Sequence, residues 1–185
     1  NIVYAGARNP KDIESGKNVK PLKLDITSDK DCKEGVEKIV NNEGRIDVLI
    51  NNAGYALVGP TLDFQTEDFL KILDTNTVGA FRLIKYAALY MKKQKKGKII
   101  NITSLNGLIS LPNFGLYSAS KHGLEAFGLA LRYELEKDGV FVTNLAPGAI
   151  FSEEKSPKNL PHKPAREKFK ILYLLGNSFC PNLSN

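Results

Sequence analysis

The chain has 185 residues, is 42% hydrophobic and 25% charged, and carries a net charge of +6. That composition suits one substantial core and excludes a disordered, self-repelling chain and a transmembrane chain, since no run approaches the length and apolarity of a span. Two cysteines, Cys32 and Cys180, and two histidines, His122 and His162, exclude a disulfide framework and leave little material for zinc or Ser-His-Asp chemistry. In chain order, short apolar runs rich in Val, Ile and Leu predict strands at Ile2 to Ala5, Val19 to Leu24, Ile46 to Ile50, Lys98 to Ile102 and Val140 to Leu145. Between them, Ser28 opens one helix and Thr66 a second. The second, with Glu67 and Asp68 in its first turn, continues past Asn76 to about Met91, and a third helix runs from Tyr117 to Lys137. Lys92, Lys93, Lys95, Lys96 and Lys98 cluster where the second helix ends, lack interleaved aromatics and suit the helix dipole, so nucleic acid is not an expected partner. Strands alternating with helices predict an α/β fold, a Rossmann-like doubly wound parallel sheet with helices on both faces, whose ligand binds beyond the carboxyl ends of the strands.

Chemistry concentrates at those ends. Tyr117 and Lys121 stand four residues apart, so on a helix both project from one face. A free phenol titrates near ~10 and needs a fall of roughly 2 to 3 units to exchange protons near neutrality. One ammonium about 4 Å away supplies about 4 kcal/mol at an effective dielectric of 20, which is enough. Tyr117 is then a general acid/base. Ser104, just past the strand Lys98 to Ile102, can hold a substrate oxygen by a hydrogen bond.

In order along the chain stand Asn51-Asn52-Ala53-Gly54, then Asn76, Ser104, Tyr117-x-x-x-Lys121 and Pro147-Gly148. This set resembles the short-chain dehydrogenase/reductase family over about Ile2 to Ser152. The resemblance implies an NAD(P)-dependent oxidoreductase with hydride transfer between nicotinamide C4 and a carbonyl or secondary alcohol. It implies Ser104 as the carbonyl-polarising hydroxyl, Tyr117 as the acid/base, and Lys121 as the group that tunes Tyr117 and binds the ribose. Asn76 matches the asparagine holding a proton-relay water. Asn51, Ala53 and Gly54 match the turn against the adenosine ribose, where small residues let the backbone approach the cofactor. Pro147, Gly148 and Ile150 match the turn flanking the nicotinamide, with Ser152 standing where the family usually has Thr. Asp25 matches the aspartate beside the adenine, and an Asp opening a turn before Ser28 explains it equally. The turn Ala5-Gly6-Ala7-Arg8-Asn9-Pro10 has no carboxylate for a ribose 2′-hydroxyl and offers Arg8, whose guanidinium can take a 2′-phosphate, so NADP(H) is favoured over NAD(H).

The family opens with a strand and a glycine-rich pyrophosphate turn, and this chain begins at the second strand. The reading is therefore a partial single dinucleotide-binding oxidoreductase domain over residues 1–185. The missing strand is a central one, whose loss would expose an apolar seam. Residues 153–185 read as an irregular substrate-loop and tail region, with an apolar run from Phe169 to Leu175 but no clear final strand. Leu105, Asn106, Leu111, Pro112, Phe114 and Ile150 would give an apolar pocket if they face it, or covered core if they do not, and by resemblance the substrate is a small lipophilic alcohol or ketone. The same resemblance implies a homodimer or homotetramer through the two long helices, with Ala126, Gly128 and Ala130 permitting close approach. The low cysteine count fits the cytoplasm. A noncatalytic interaction protein on the same scaffold, or an epimerase or dehydratase sharing Tyr-x-x-x-Lys, are the alternatives.

Overall fold

The computed structural model describes residues 1–14, 16–148, 168–169 and 172–176, with side chains described over the first two ranges. Strand β1 (Ile2–Ala7) pairs in parallel with β2 (Val19–Lys23). Helix α1 (Asp29–Glu43) begins after Ser28, whose hydroxyl accepts from the Asp31 amide, and stops at Gly44 with φ 75°, a conformation glycine adopts without strain. Strand β3 (Val48–Asn51) and the two-residue β4 (Gly54–Tyr55) follow. Helix α2 (Thr66–Leu73) starts where predicted, with the Asp68 carboxylate accepting from the Gln65 amide at 3.2 Å. It runs through a π-helical turn, Asp74–Val78, into α3 (Gly79–Gln94). Then come β5 (Gly97–Ile102), α4 (Gly115–Glu136) and β6 (Val140–Leu145). Residues 168–169 form β7 (Lys168–Phe169), paired with β4, and residues 172–176 form β8 (Leu172–Gly176).

The main sheet has the order β2-β1-β8-β3-β5-β6. The pairs β2-β1, β3-β5 and β5-β6 are parallel, as the strand-helix alternation predicts. The centre differs from the sequence reading. Where an open apolar seam is expected, β8 lies antiparallel to both neighbours, with Leu174 opposite Tyr4 on one side and Leu49 on the other. A sheet interior leaves no water to pair the N–H and C=O groups of β1 and β3, so a third backbone satisfies both edges. The run read as lacking a clear strand supplies it.

Among the described residues α1, α3 and α4 form one layer against one face of this sheet. α1 touches α3, α3 touches α4 through Phe81 and Phe127, and α4 lies on β6. In register, Leu49, Ile99 and Val142 point into that layer. They meet Val36, Ile39, Leu83, Ile84, Ala87 and Met91 in one core, each large side chain contributing about 1.5–3 kcal/mol of burial. The intervening residues Lys98, Phe141 and Thr143 point the other way and are exposed, so the helices expected on both faces are described on one.

Candidate active site

Helix α4 carries the proposed proton-transfer pair. One turn separates Tyr117 from Lys121, and the Lys121 ammonium stands 5.9 Å from the centre of the Tyr117 ring. Lys121 is only 5% exposed and donates to the Ile102 carbonyl at 2.8 Å. Burial pushes its pKa down to about 8, and the Glu125 carboxylate pulls in the opposite direction. Ser104 follows β5 in extended conformation and caps the short turn Leu105–Gly107, its Oγ accepting from the Asn106 amide at 3.2 Å. Ser104, Tyr117, Lys121, Gly54, Pro147 and Gly148 line one cleft of about 100 Å³ at the carboxyl ends of the parallel strands. Asn52, Tyr55, Ile102 and Thr103 line it too, without having been singled out in the sequence. Asn52 and Tyr55 flank residues that were, so the strand-end turn was the available signal.

Asn76 sits in the π-helical turn, 1% exposed. Its Oδ1 accepts from the Tyr55 amide at 3.0 Å, and its Nδ2 donates to the Tyr55 carbonyl and to Ser120 Oγ, each at 2.9 Å. Both amide protons are used, so the side chain serves as a clamp between β4 and α4. Any water held by Asn76 would have to bond to its backbone or to the second lone pair of Oδ1. A side chain at Gly54 would crowd the site, because a Cβ there would meet Asn76 Oδ1 at 3.0 Å and touch Lys121 Nζ at 3.6 Å.

Asn51 lies beneath the cleft. It is 5% exposed and donates through Nδ2 to Asn101 Oδ1 at 2.9 Å. Asn101 donates in turn to Asn144 Oδ1 at 3.0 Å, and Asn144 to the Glu125 carboxylate at 2.7 Å. The three asparagines are in register across β3, β5 and β6, an amide ladder under the site. Ala53 lines a small cavity there with Asn51 and Asn76. Helix α4 seats on the ladder at Gly128, where a Cβ would stand 2.1 Å from Asn144 Oδ1 and 2.8 Å from Asn101 Nδ2. Gly128, expected at an outer helix interface, thus faces the sheet, because only a hydrogen fits against the amides.

At the other end of the sheet Arg8 is exposed just past β1. Asp25 opens a turn, accepting from the Thr27 amide at 3.0 Å and the Thr27 hydroxyl at 2.7 Å. Partial burial would raise its pKa, but the Thr27 bonds and the Arg8 and Arg82 charges outweigh that and hold it below its usual value. Leu105, Leu111 and Pro112 are exposed, Phe114 half-buried and Asn106 buried, and none of them lines the cleft. Ile150 and Ser152 lie outside the described residues.

Comparison with known proteins bears directly on this arrangement. The family model described as short chain dehydrogenase matches residues 5–162. The chain is 38% identical over 148 residues to a 3-ketodihydrosphingosine reductase of Bacteroides thetaiotaomicron, an overlap covering 80% of this chain and 54% of that protein. It spans little more than half that relative's length. Among solved structures, ElxO with NADP bound shares 36% identity at a TM-score of 0.72, covering 74% of this chain and 56% of that one. NAD+-bound xylitol dehydrogenase shares 31% at 0.69, covering 71% and 51%. With its Rossmann-like sheet and its motifs gathered at the strand ends, the chain belongs to the short-chain dehydrogenase/reductase family of oxidoreductases.

Proposed function

We propose that this chain is the single dinucleotide-binding domain, in part, of an NADP(H)-dependent enzyme that interconverts a lipophilic ketone and its secondary alcohol, with Tyr117 as general acid/base. The observation that carries the reading is a buried ammonium with a job to do: Lys121 is anchored at 2.8 Å to Ile102 O and lies beside the Tyr117 ring in the cleft that Ser104 also lines. Taking the 5.9 Å from the ammonium to the ring centre as the scale, two unit charges interact by about 3 kcal/mol at an effective dielectric of 20. That is enough to make a developing phenolate accessible.

The residues present fit a nicotinamide riboside. Gly54 leaves room where any Cβ would press on Asn76 and approach Lys121 Nζ, and Lys121, with one bond to Ile102 O, has protons to offer ribose hydroxyls. Pro147 and Gly148 line the same cleft and would flank the nicotinamide. When bound, the reduced nicotinamide supplies a hydride to the carbonyl carbon. At the oxygen, Ser104 donates a hydrogen bond and Tyr117 gives up its proton, so the ketone becomes the alcohol; oxidation runs the same path in reverse.

Arg8, exposed at the end of β1 with no carboxylate between Ala5 and Pro10, supports the phosphorylated cofactor. In the segment after Ser104, outside the cleft lining, Leu105, Leu108, Ile109 and Leu111 are exposed, and this apolar surface supports a lipophilic substrate, as does the ketone in the name of the Bacteroides relative. Val78, Phe81 and Leu89 of the π turn and α3 are exposed, as are Leu129 and Tyr133 of α4, which supports a homodimer or homotetramer built on these helices. A reducing, cytoplasmic setting fits Cys32, a buried thiol whose pKa burial pushes up to about 12. Tyr117→Phe tests the central role: ketone-dependent NADPH oxidation should fall at least about a hundredfold with NADPH affinity unchanged. Wild-type turnover in this variant would refute the acid/base assignment.

A further inference from the structure

Glu125 lies one helical turn beyond Lys121 and is half-buried under the cleft. Three segments converge on it. The Thr103 hydroxyl, adjacent in sequence to Ser104, donates to Glu125 Oε1. Asn144 Nδ2, three residues before Pro147, reaches Glu125 Oε2 at 2.7 Å and the Glu125 backbone carbonyl at 2.9 Å. Gly107 of the turn after Ser104 sits so tightly on α4 that a Cβ would stand 3.0 Å from Lys121 O and 3.1 Å from Glu125 Cγ. Backbone bonds from Thr103 to Leu145 (2.8 Å) and from Leu105 to Pro147 (2.9 Å) close the same junction.

We propose that Glu125 is a positioning residue of this site, its carboxylate tying the strand end that bears Ser104 and the strand end that leads to Pro147-Gly148 onto the helix that bears Tyr117 and Lys121. The proposal rests on the reading of Tyr117 and Lys121 as the proton-transfer pair. Glu125 also acts on that pair by charge. Lys121 is almost wholly buried, and the anion that opposes its loss of a proton is Glu125. Among the described residues, the titratable groups facing this junction are Lys121 and Tyr117 on α4 and Tyr55 from β4; β5 and β6 present Thr103, Asn101 and Asn144, which carry no charge.

Glu125→Gln separates the two effects. Its carbonyl can accept from Asn144 and its amide can donate to Thr103 Oγ1, whose own proton turns to the Leu145 carbonyl 3.0 Å away. The tie survives and the charge goes. Glu125→Ala removes both. Two measurements on the full chain need no substrate: titration of the Lys121 side chain by lysine-selective carbon-13 NMR, and hydrogen exchange of the Thr103 and Leu105 amides.

Removing an anion weakens proton binding at every neighbouring group, so in Glu125→Gln the Lys121 titration should move to lower pH by at least about half a unit. Protection of both amides should stay within about twofold in Glu125→Gln and fall at least about tenfold in Glu125→Ala. A Lys121 titration unmoved in Glu125→Gln, or full amide protection in Glu125→Ala, overturns the proposal. The Tyr117→Phe variant keeps the two failures apart: retained turnover there defeats the acid/base reading, whereas loss of turnover with unaltered Glu125 variants defeats the positioning role alone.

Discussion

Polar groups are arranged in opposite ways at the two ends of the sheet. Around β3, β5 and β6 they are inside: the ladder Asn51-Asn101-Asn144 runs into Glu125, and Lys121 is buried against a strand carbonyl. Around β1 and β2 they reach the surface: Lys20 is half exposed, while Tyr4 and the Glu43 carboxylate beneath it are largely covered. There Lys20 meets Glu43 at 2.7 Å, Tyr4 donates to the same carboxylate at 2.6 Å, and Arg8 stands in solvent. A buried polar contact costs about 1–3 kcal/mol when one partner is lost, whereas an exposed ion pair contributes about 0–1 kcal/mol. The inner end is therefore held in one geometry, which the proposed proton transfer would require. At the outer end Arg8, standing in solvent, can be exchanged at little cost in stability.

The largest expected effect comes from forcing a side chain into the inner network. Gly128→Val places atoms where Asn144 Oδ1 and Asn101 Nδ2 now lie, and overpacking plus broken buried hydrogen bonds should cost about 3 kcal/mol or more. Gly16→Ala, just before β2, where a Cβ would meet only Val19 Cγ2 at 3.9 Å among the described residues, should leave the urea midpoint almost unmoved. Equal midpoints for the two variants would break the contrast between inner and outer polar groups.

A comparable figure, spread over pH, comes from Lys121. The unfolded chain titrates this lysine near 10.5 and the folded chain near 8. Between those values the unfolded state binds more protons, so stability should rise with pH across that window, by roughly 3 kcal/mol at most. Lys121→Met should abolish that rise in denaturation curves recorded from pH 7 to 10.5. An identical pH dependence in the variant would place the titrating group elsewhere.

Smallest in stability is Arg8→Ala, which should shift the midpoint by less than about 0.5 kcal/mol. Its effect belongs to recognition: affinity for NADPH should drop at least about tenfold with NADH nearly unaffected, because only the former carries the 2′-phosphate. Parallel losses for both cofactors in a binding titration would remove Arg8 from cofactor selection.

Sequence patterning reveals the outer ends of elements better than their cross-connections. Ser28 caps its helix as predicted, and Val140–Leu145 matches its predicted bounds, because caps and apolar runs are local signals. Tyr117 and Lys121 were legible for the same reason: a spacing of four fixes their common face. Asn101 and Asn144 were not, since their meeting depends on strand registers between segments about forty to fifty residues apart, and Glu125 was not, since it meets Asn144 only through the packing of α4 on β6. One signal was present, an Asn near the end of each of three predicted strands. Nothing in Leu172–Gly176 announces a reversed direction or a place between β1 and β3; only the unpaired edges of those strands, a tertiary demand, select it.

The π-helical turn at Asp74–Val78 has a consequence for how this segment can change length. An α-helix advances 100° per residue, and a π turn absorbs one residue beyond α-helical need. On one side of it Ile72 docks with Leu57 and Leu116; on the other Leu83, Ile84, Ala87 and Met91 dock on the sheet. Deleting a single residue such as Thr75 would restore an ordinary helix and leave the two docking faces in phase, whereas deleting a second residue would rotate one face by about 100° against the other. The exposed Lys85 of α3 can vary in kind, but the number of residues between Ile72 and Leu83 can change only by what the π turn takes up, because two surfaces have to be met together.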